Sequence, residues 1–367
     1  MPRYLTIKKI DGKPGQVYYP LQLNTLPSHP TPGPNQLLLR VHAAALNHRD
    51  LFIRQHLYPG ISFSSPLLSD GVATVVALGP GCSPATQSLL NTRVLILPCR
   101  GWEKDEAAPE GEFVIHGASR GSDVGTGAEY VVVNEGEVAP CPGHLSDAEA
   151  AALPLVGLTG WRALVTKGGL GGVEGAKGKN VLVTGIGGGV ALQVLGFAVA
   201  MGANVWVTSG EEGKIQRAVE LGAKGGVNYK EKDWDKKLKG MLPKDRPYLD
   251  VVVDGAGGDV VARSVKLLKQ GGVIACYGMT VGPKMDWLMQ ATLRHIELRG
   301  CTMGSRREFE EMVKFVREKK IRPVVSRVVK GLDNLEGIES LFEDMKAGRQ
   351  FGKLVILIEG EDKTAKL

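Results

Sequence analysis

One run constrains this chain more than any other: Val181-Leu182-Val183-Thr184-Gly185-Ile186-Gly187-Gly188-Gly189-Val190-Ala191. A short apolar strand leads into a glycine-rich turn, and an apolar helix to Met201 leads out. Glycine lets a backbone come within bonding distance of a ligand and adopt conformations closed to other residues. The helix behind it offers unpaired N–H groups and a positive dipole end to phosphate. Strand, glycine turn and helix in that order form the dinucleotide-binding arrangement. The strict G-x-G-x-x-G spacing would need glycine at 190, where Val190 stands, and the run fits G-x-x-G-G-x-A better. Gly185, Gly187, Gly188, Gly189 and Val190 are therefore expected around a pyrophosphate.

Strands and helices alternate around this run. Val205–Thr208, Leu249–Asp254 and Val273–Gly278 read as buried strands, with helices at Glu211–Leu221 and Val260–Lys269. Fully apolar strands alternating with helices indicate a doubly wound parallel sheet. The Gly255–Gly258 and Tyr277-Gly278 turns close central strands, where cofactors bind in such sheets. The first third reads differently. Arg3–Ile10, Gln16–Leu21, Gln36–Ala45, Val72–Leu78, Arg93–Pro98 and Ala128–Val133 are candidate strands, Asn47–Gln55 is a helical turn or two, and many short strands suggest a barrel or sandwich. Beyond about Gly300, helices at Arg306–Lys319 and Leu335–Ala347 flank strands at Val324–Val329 and Lys353–Ile358.

The end of the second parallel strand bears on the choice of cofactor. An acidic residue about 20 positions after the first glycine selects NAD by binding the ribose hydroxyl. Here that place falls at Thr208, followed by Ser209 and, further on, Lys214, so a 2′-phosphate meets no carboxylate at the strand end. The expected cofactor is NADPH, with Glu211 and Glu212 as the opposing charges nearby.

At 367 residues the chain is long enough for two domains, and its 49 glycines are roughly twice the usual share. The net charge of +6 comes from basic residues mixed with acids, as in Lys230–Lys237, so nucleic acid is not an expected partner. The five cysteines form no C-x-x-C pair and no disulfide framework. No stretch is long and apolar enough to cross a membrane, and no secretory apolar core follows Met1. The expected location is cytoplasmic. Ala365-Lys366-Leu367 is similar to the S-K-L address, which adds the peroxisome in a eukaryotic cell.

Several further segments, in order and spacing, carry a resemblance over nearly the whole length: Ala43–Asp50, Ser69-Asp70-Gly71, Ala152–Trp161, Leu221-Gly222-Ala223, Asn228-Tyr229 and Gly352–Val355. With the glycine turn, they resemble the medium-chain dehydrogenase/reductase superfamily, especially its zinc-free quinone oxidoreductase branch. The resemblance implies an α/β chain with two domains. A GroES-like partly open β-barrel would span 1–155 and 300–367, and a Rossmann domain 156–299, with the active site in the cleft. It also implies a homodimer or homotetramer built through edge strands.

The departures from the zinc enzymes of that superfamily matter equally. Asn47 stands where their first cysteine ligand would be, Ser69 replaces a histidine, and the third ligand position falls in the apolar Leu155–Leu158 run. The lobe that would hold a structural zinc keeps only Cys99. A zinc site needs three or four N, S or O ligands, so no metal is expected.

Without a metal, hydrogen-bond donors must stabilise the oxyanion formed on hydride transfer. By resemblance Asn47 and Tyr58 take this part, with packing of the Leu57–Gly60 turn as the other role open to Tyr58. Phe52 packs the cleft wall, with core packing as its other role. Thr159 is expected near the nicotinamide, or else as an ordinary helix residue. Ser209, Lys214 and Tyr229 match a 2′-phosphate pocket, and Gly352 and Lys353 match a stretch returning to the nicotinamide, with an edge-strand lysine as the alternative. Asp50 and Asp70 are read as loop-holding residues. The implied activity is NADPH-dependent reduction of quinones, enones or related carbonyls. The alternatives are a zinc-type alcohol dehydrogenase and a non-catalytic NADPH-binding protein.

Overall fold

The computed structural model describes residues 1–282 and 284–358; the Ala365-Lys366-Leu367 tripeptide lies outside them. The chain divides into two compact units, Met1–Leu155 with the segment from Ser305 on, and Val156–Gly304.

The first unit opens with strands β1 (Arg3–Ile7) and β2 (Leu21–Thr25), paired antiparallel. The second of these was expected at Gln16–Leu21. The N–H groups of Gln16 and Val17 instead bond Lys13 O, that of Tyr19 bonds Arg54 O, and Pro20 has none to give, so the ladder starts at Leu21. The long β3 (Gln36–Ala45) then leads through Asn47 into helix α1 (His48–Arg54). Next come β4 (Asp70–Leu78), β5 (Arg93–Ile96), the short pair β6 (Cys99–Arg100) and β7 (Val114–Ile115), then β8 (Tyr130–Asn134) and β9 (Val138–Pro140).

The chain passes from the first unit to the second within helix α2 (Pro154–Trp161), which runs into a π-helical stretch, Arg162–Lys167. It then alternates β10 (Asn180–Val183), α3 (Gly189–Ala200), β11 (Asn204–Ser209), α4 (Glu212–Glu220), β12 (Gly225–Asn228), β13 (Leu249–Asp254), α5 (Val260–Ser264), β14 (Leu268–Cys276) and β15 (Glu297–Gly300). Helix α5 is shorter than the expected Val260–Lys269, because Leu268 already pairs with Leu249 in the sheet. All strands are parallel, in the order β12-β11-β10-β13-β14-β15. Counted along this unit, that is 3-2-1-4-5-6, the Rossmann order, which reverses direction between β10 and β13 and leaves a ligand crevice at their carboxyl ends. Every residue of β10 and β13 is buried, as expected of strands covered on both faces.

The chain returns to the first unit with α6 (Arg306–Lys319), β16 (Val325–Lys330), α7 (Leu335–Lys346) and β17 (Lys353–Leu357). The larger sheet there runs β16-β17-β3-β4-β5-β9, with β8 on β3. One side of β3 pairs β8 along its first half and β17 at its end, while the other pairs β4 throughout, so the sheet curls into the partly open barrel. Leu37, Leu39 and Val41 alternate inward onto Leu5, Ile7, Tyr19 and Phe342. No helix is long and apolar enough to cross a membrane among the described residues.

Candidate functional site

The glycine turn lies at the carboxyl end of β10. Gly185 and Gly187 have φ of 64° and 114°, the left-handed region that L side chains avoid. A Cβ at Gly185 would meet nothing within 4 Å, so the turn faces open space. Thr208 holds it in place: its Oγ1 accepts the Gly185 N–H at 3.2 Å, and its carbonyl accepts that of Ile186 at 2.8 Å. Gly188 is the N-cap of α3, so the N–H groups of Gly189 and Val190 occupy first-turn positions without helical acceptors. Open space over unpaired donors at the head of a twelve-residue helix fits a pyrophosphate.

Ser209 ends β11, buried, with its Oγ accepting Glu211 N–H at 3.2 Å. Lys214 Nζ is 2.8 Å from Glu211, so this cation is already paired. Tyr229 is half exposed. Its hydroxyl and the Lys230 Cε both lie 2.8 Å from where a Gly210 Cβ would be, so both side chains overlie Gly210. The sequence shows Lys230 only as the start of the mixed-charge Lys230–Lys237 run, although its place beside Tyr229 is a usable signal.

Between β10 and β13, Asp254 is fully buried and accepts Thr184 Oγ1–H at 2.5 Å, Ala256 N–H at 3.1 Å and Gly257 N–H at 3.0 Å. Burial raises its pKa, against these bonds. The carboxylate thus shapes the turn that presents Gly255. The Tyr277 ring fills the space a Gly255 side chain would need, and Gly278 lies against the Gly255 carbonyl. The sequence marks Asp254 only as the end of a strand, and its signal is an acid directly after Val251-Val252-Val253 and before the glycine turn. Thr159, in the same unit, is buried and turns its hydroxyl to the Met303 sulfur at 3.6 Å.

In the first unit a polar centre forms at the end of β3. Ala45 pairs with Asp70 of β4 on one side and Val355 of β17 on the other, and the Leu46 N–H bonds Leu354 O at 2.9 Å. This register gathers Asn47, Asp70 and Lys353, which are 6, 0 and 4% exposed. Asn47 Nδ2 donates to Asp70 Oδ2 at 2.8 Å. Lys353 Nζ donates to Asn47 Oδ1 at 2.5 Å and to Asp70 Oδ2 at 2.7 Å. Asp70 Oδ1 accepts the Leu155 N–H at 2.7 Å. A buried ion pair is tolerable only when its remaining donors and acceptors are used this fully.

Lys353 is therefore no edge-strand lysine, since β17 runs between β16 and β3. Gly352, with φ 110°, abuts the Val324 backbone, and Lys353 N–H bonds Val324 O at 2.9 Å; the contacts of this glycine are to its own sheet. Asp70 accepts a backbone N–H, but that of Leu155 in the first turn of α2 and not one of a loop, and it pairs with Lys353 as well. One acid and one base, each opening an otherwise apolar strand, were the available signal.

Asn47 is the N-cap of α1 and shares a capping box with Asp50 at the third helical position. Asp50 serves that end of the helix, accepting Asn47 N–H at 2.7 Å. Burial raises Asp50 to about 6, against Arg49 and the Asn47 N–H. Arg49 binds Asp50 at 3.3 Å, Gly117 O at 3.0 Å and Ser119 Oγ at 2.8 Å, and its guanidinium lies 4.9 Å from the Tyr58 ring centre. This stack ties Tyr58 to the helix that follows Asn47. The Tyr58 hydroxyl has no hydrogen bond among the described residues, and Phe52 is half-buried on the same helix.

The donor set does not suit a metal. Among the described residues no three His, Cys, Asp or Glu side chains gather closely enough to hold one. The amide of Asn47 is committed to Asp70 and Lys353, Ser69 Oγ is buried without a partner, and the Lys353 ammonium already supplies a positive charge.

Residues 33–143 match the family described as alcohol dehydrogenase GroES-like domain, and residues 189–318 that described as zinc-binding dehydrogenase. The chain is 55% identical to the zinc-type alcohol dehydrogenase-like protein YogA of Leptosphaeria maculans, over 98% of this chain and all of that one. It is 30% identical to the acryloyl-coenzyme A reductase of Metallosphaera sedula, over 89 and 93%. A crystal structure of an NAD-dependent alcohol dehydrogenase superposes with TM-score 0.81 at 32% identity, over 97 and 100%. With a Rossmann sheet, a GroES-like barrel and these relatives, the chain belongs to the medium-chain dehydrogenase/reductase superfamily of NAD(P)-dependent oxidoreductases.

Proposed function

We propose that this protein uses NADPH to reduce a polarised double bond, in an α,β-unsaturated carbonyl compound or a quinone, without a metal ion. The observation that carries this reading is the Asn47–Asp70–Lys353 network, which commits Asn47, the residue that by resemblance stands at the first zinc-ligand position, to a carboxylate and an ammonium. Gly185, Gly187, Gly188, Gly189 and Val190 would hold the pyrophosphate. Ser209, Lys214 and Tyr229, joined by Lys230, would hold the 2′-phosphate. Thr159, Gly255, Tyr277 and Gly278 would bound the rest of the cofactor, which when bound supplies a hydride.

Asn47 Nδ2 has two hydrogens and spends one on Asp70. The other, with the Tyr58 hydroxyl, would donate to the substrate oxygen as negative charge gathers there. The neutral end of β11 favours NADPH, and the likeness to an enzyme named for acryloyl-coenzyme A favours a conjugated double bond. The name of the NAD-dependent neighbour weighs the other way on the cofactor. We also propose a homodimer through β15, one of the two edges of the parallel sheet, in the part of the chain where Val281, Met289 and Leu293 are exposed.

The test is fluorescence titration of the chelator-treated protein with NADPH and with NADH. Reductase assays with crotonaldehyde, 1,4-benzoquinone and acetaldehyde follow. Metal-independent NADPH binding and oxidation by the first two support the reading. Preference for NADH, or loss of binding on chelation, overturns it.

A further inference from the structure

We propose that Lys353 is the fixed positive charge of the reduction site, acting as a positioning residue on the substrate oxygen through the Asn47 amide. The inference rests on the function proposed above and changes the part given to this lysine. A lysine that reaches for a bound cofactor must extend its ammonium outward. Lys353 is 4% exposed and turns its ammonium inward, onto Asn47 Oδ1 and Asp70 Oδ2.

These two partners fix the amide of Asn47 unambiguously. Its neighbours are a carboxylate, which only accepts, and an ammonium, which only donates. A flipped amide would set oxygen against carboxylate and NH2 against ammonium. Asn47 must therefore turn its oxygen to Lys353 and its nitrogen to Asp70, and its uncommitted group is an N–H. Asn47 therefore keeps one N–H to offer the site, beside an oxygen that already accepts from the Lys353 ammonium.

The same contact strengthens that donor. A charge-assisted bond to an amide oxygen pulls electron density toward it, and hydrogen bonds in a chain reinforce one another where little water enters. Lys353 thus lends its charge to the N–H without touching the substrate. In the proposed reduction the substrate carbon would gain a hydride and the π pair would move onto oxygen. The oxygen then takes its proton from water, and Lys353 keeps its three hydrogens throughout.

The test compares binding of 4-nitrophenolate, an anionic oxygen, with 4-nitroanisole, its neutral ether, by absorbance. K353M alone strands the Asp70 carboxylate, so the double variant D70N/K353M is measured beside it, with K353R and N47A. The wild type is expected to prefer the phenolate by about tenfold or more. D70N/K353M and N47A should each lose most of that preference, and their combination no more than either alone, since both act through one donor. K353R, which keeps the charge, should retain part of it. NADPH affinity should change by less than about threefold in D70N/K353M.

No phenolate preference in the wild type, or an undiminished one in D70N/K353M, overturns the proposal. So does equal weakening of both probes, which would mark a packing role. Loss of NADPH affinity with the preference intact would make Lys353 a cofactor contact instead. A wild type that binds phenolate selectively but no NADPH would defeat the proposed function and leave the charge assignment standing.

Discussion

His116 should make the stability of the first unit pH-dependent in a way one substitution removes. The side chain is fully buried; Nδ1 lies 2.7 Å from Ser122 Oγ and Nε2 has no partner. Burial first, then the charges of Arg100 and Arg49, push its pKa down to about 3. As pH falls below about 6.5, the unfolded chain takes up a proton that the folded chain refuses, so stability present above that pH is lost on the way toward 3. At about 1.4 kcal/mol per pH unit, going from pH 6.5 to pH 5 costs roughly 2 kcal/mol. Asp50 acts in the opposite sense. Burial raises it to about 6, so its folded form binds the proton first and stability falls as pH rises from about 4 to 6. The two slopes overlap and largely cancel in the wild type. H116N keeps a polar atom for Ser122 and removes the histidine slope, so the variant should gain stability relative to wild type as pH falls from about 6 to 4, by roughly 3 kcal/mol. Urea melts at a series of pH values measure this. The difference between the proteins is the readout, which cancels the second unit. A difference that stays constant across the range would refute the reasoning.

K353M should destabilise the first unit by about 3–5 kcal/mol, as breaking a buried pair does, and D70N/K353M should recover most of it in thermal melts. Ser209→Asp places a carboxylate at the end of β11. It should weaken NADPH binding by about tenfold or more while sparing NADH, read by fluorescence titration. Gly255→Ala drives a methyl group into the Tyr277 ring and should cost about 1–3 kcal/mol, with NADPH affinity falling as the ring moves.

Much of the fold was legible because its signals are local. The apolar runs at 181–183 and 251–253 mark buried strands by composition alone, and the glycines between 185 and 188 can do little but turn. The signals failed where a distant carbonyl decided the matter. Nothing near Gln16–Leu21 shows that Tyr19 N–H will bond Arg54 O, and nothing near Leu268 shows Leu249 opposite it. The polar centre was half legible for the same reason. Asn47 stood out as a missing ligand, but its partner Lys353 is 306 positions away, and only the register of β3 with β17 brings them together. The π-helical turn at Arg162–Lys167 had no signal in residue type.

The lobe between β6 and β7 follows the same logic as the Lys353 corner, with the opposite charge. A loop of this length needs something to gather its backbone, and Cys99 alone cannot do it by metal ligation. Glu110 does it instead: its carboxylate accepts the N–H groups of Glu103, Lys104 and Asp105 at 2.7, 2.8 and 2.6 Å. Partial desolvation pushes this carboxyl up, and the bonds from Lys104, Glu103 and Asp105 outweigh that and hold it at about 2. The gathered turn then seats on the start of α6, where Arg306 and Arg307 give their N–H groups to Trp102 O and Glu103 O. A depressed carboxyl contributes its stabilisation above the unfolded value near 4 and loses it as pH falls toward 2. E110Q keeps the shape but replaces one acceptor oxygen by a donor, leaving at least one N–H of the three opposed. Amides 103–105 should therefore exchange faster in E110Q at neutral pH, and the wild type should approach the variant as pH drops below about 4 once intrinsic exchange rates are divided out. Equal protection in the two proteins at neutral pH would mean that α6, and not the carboxylate, holds the lobe together.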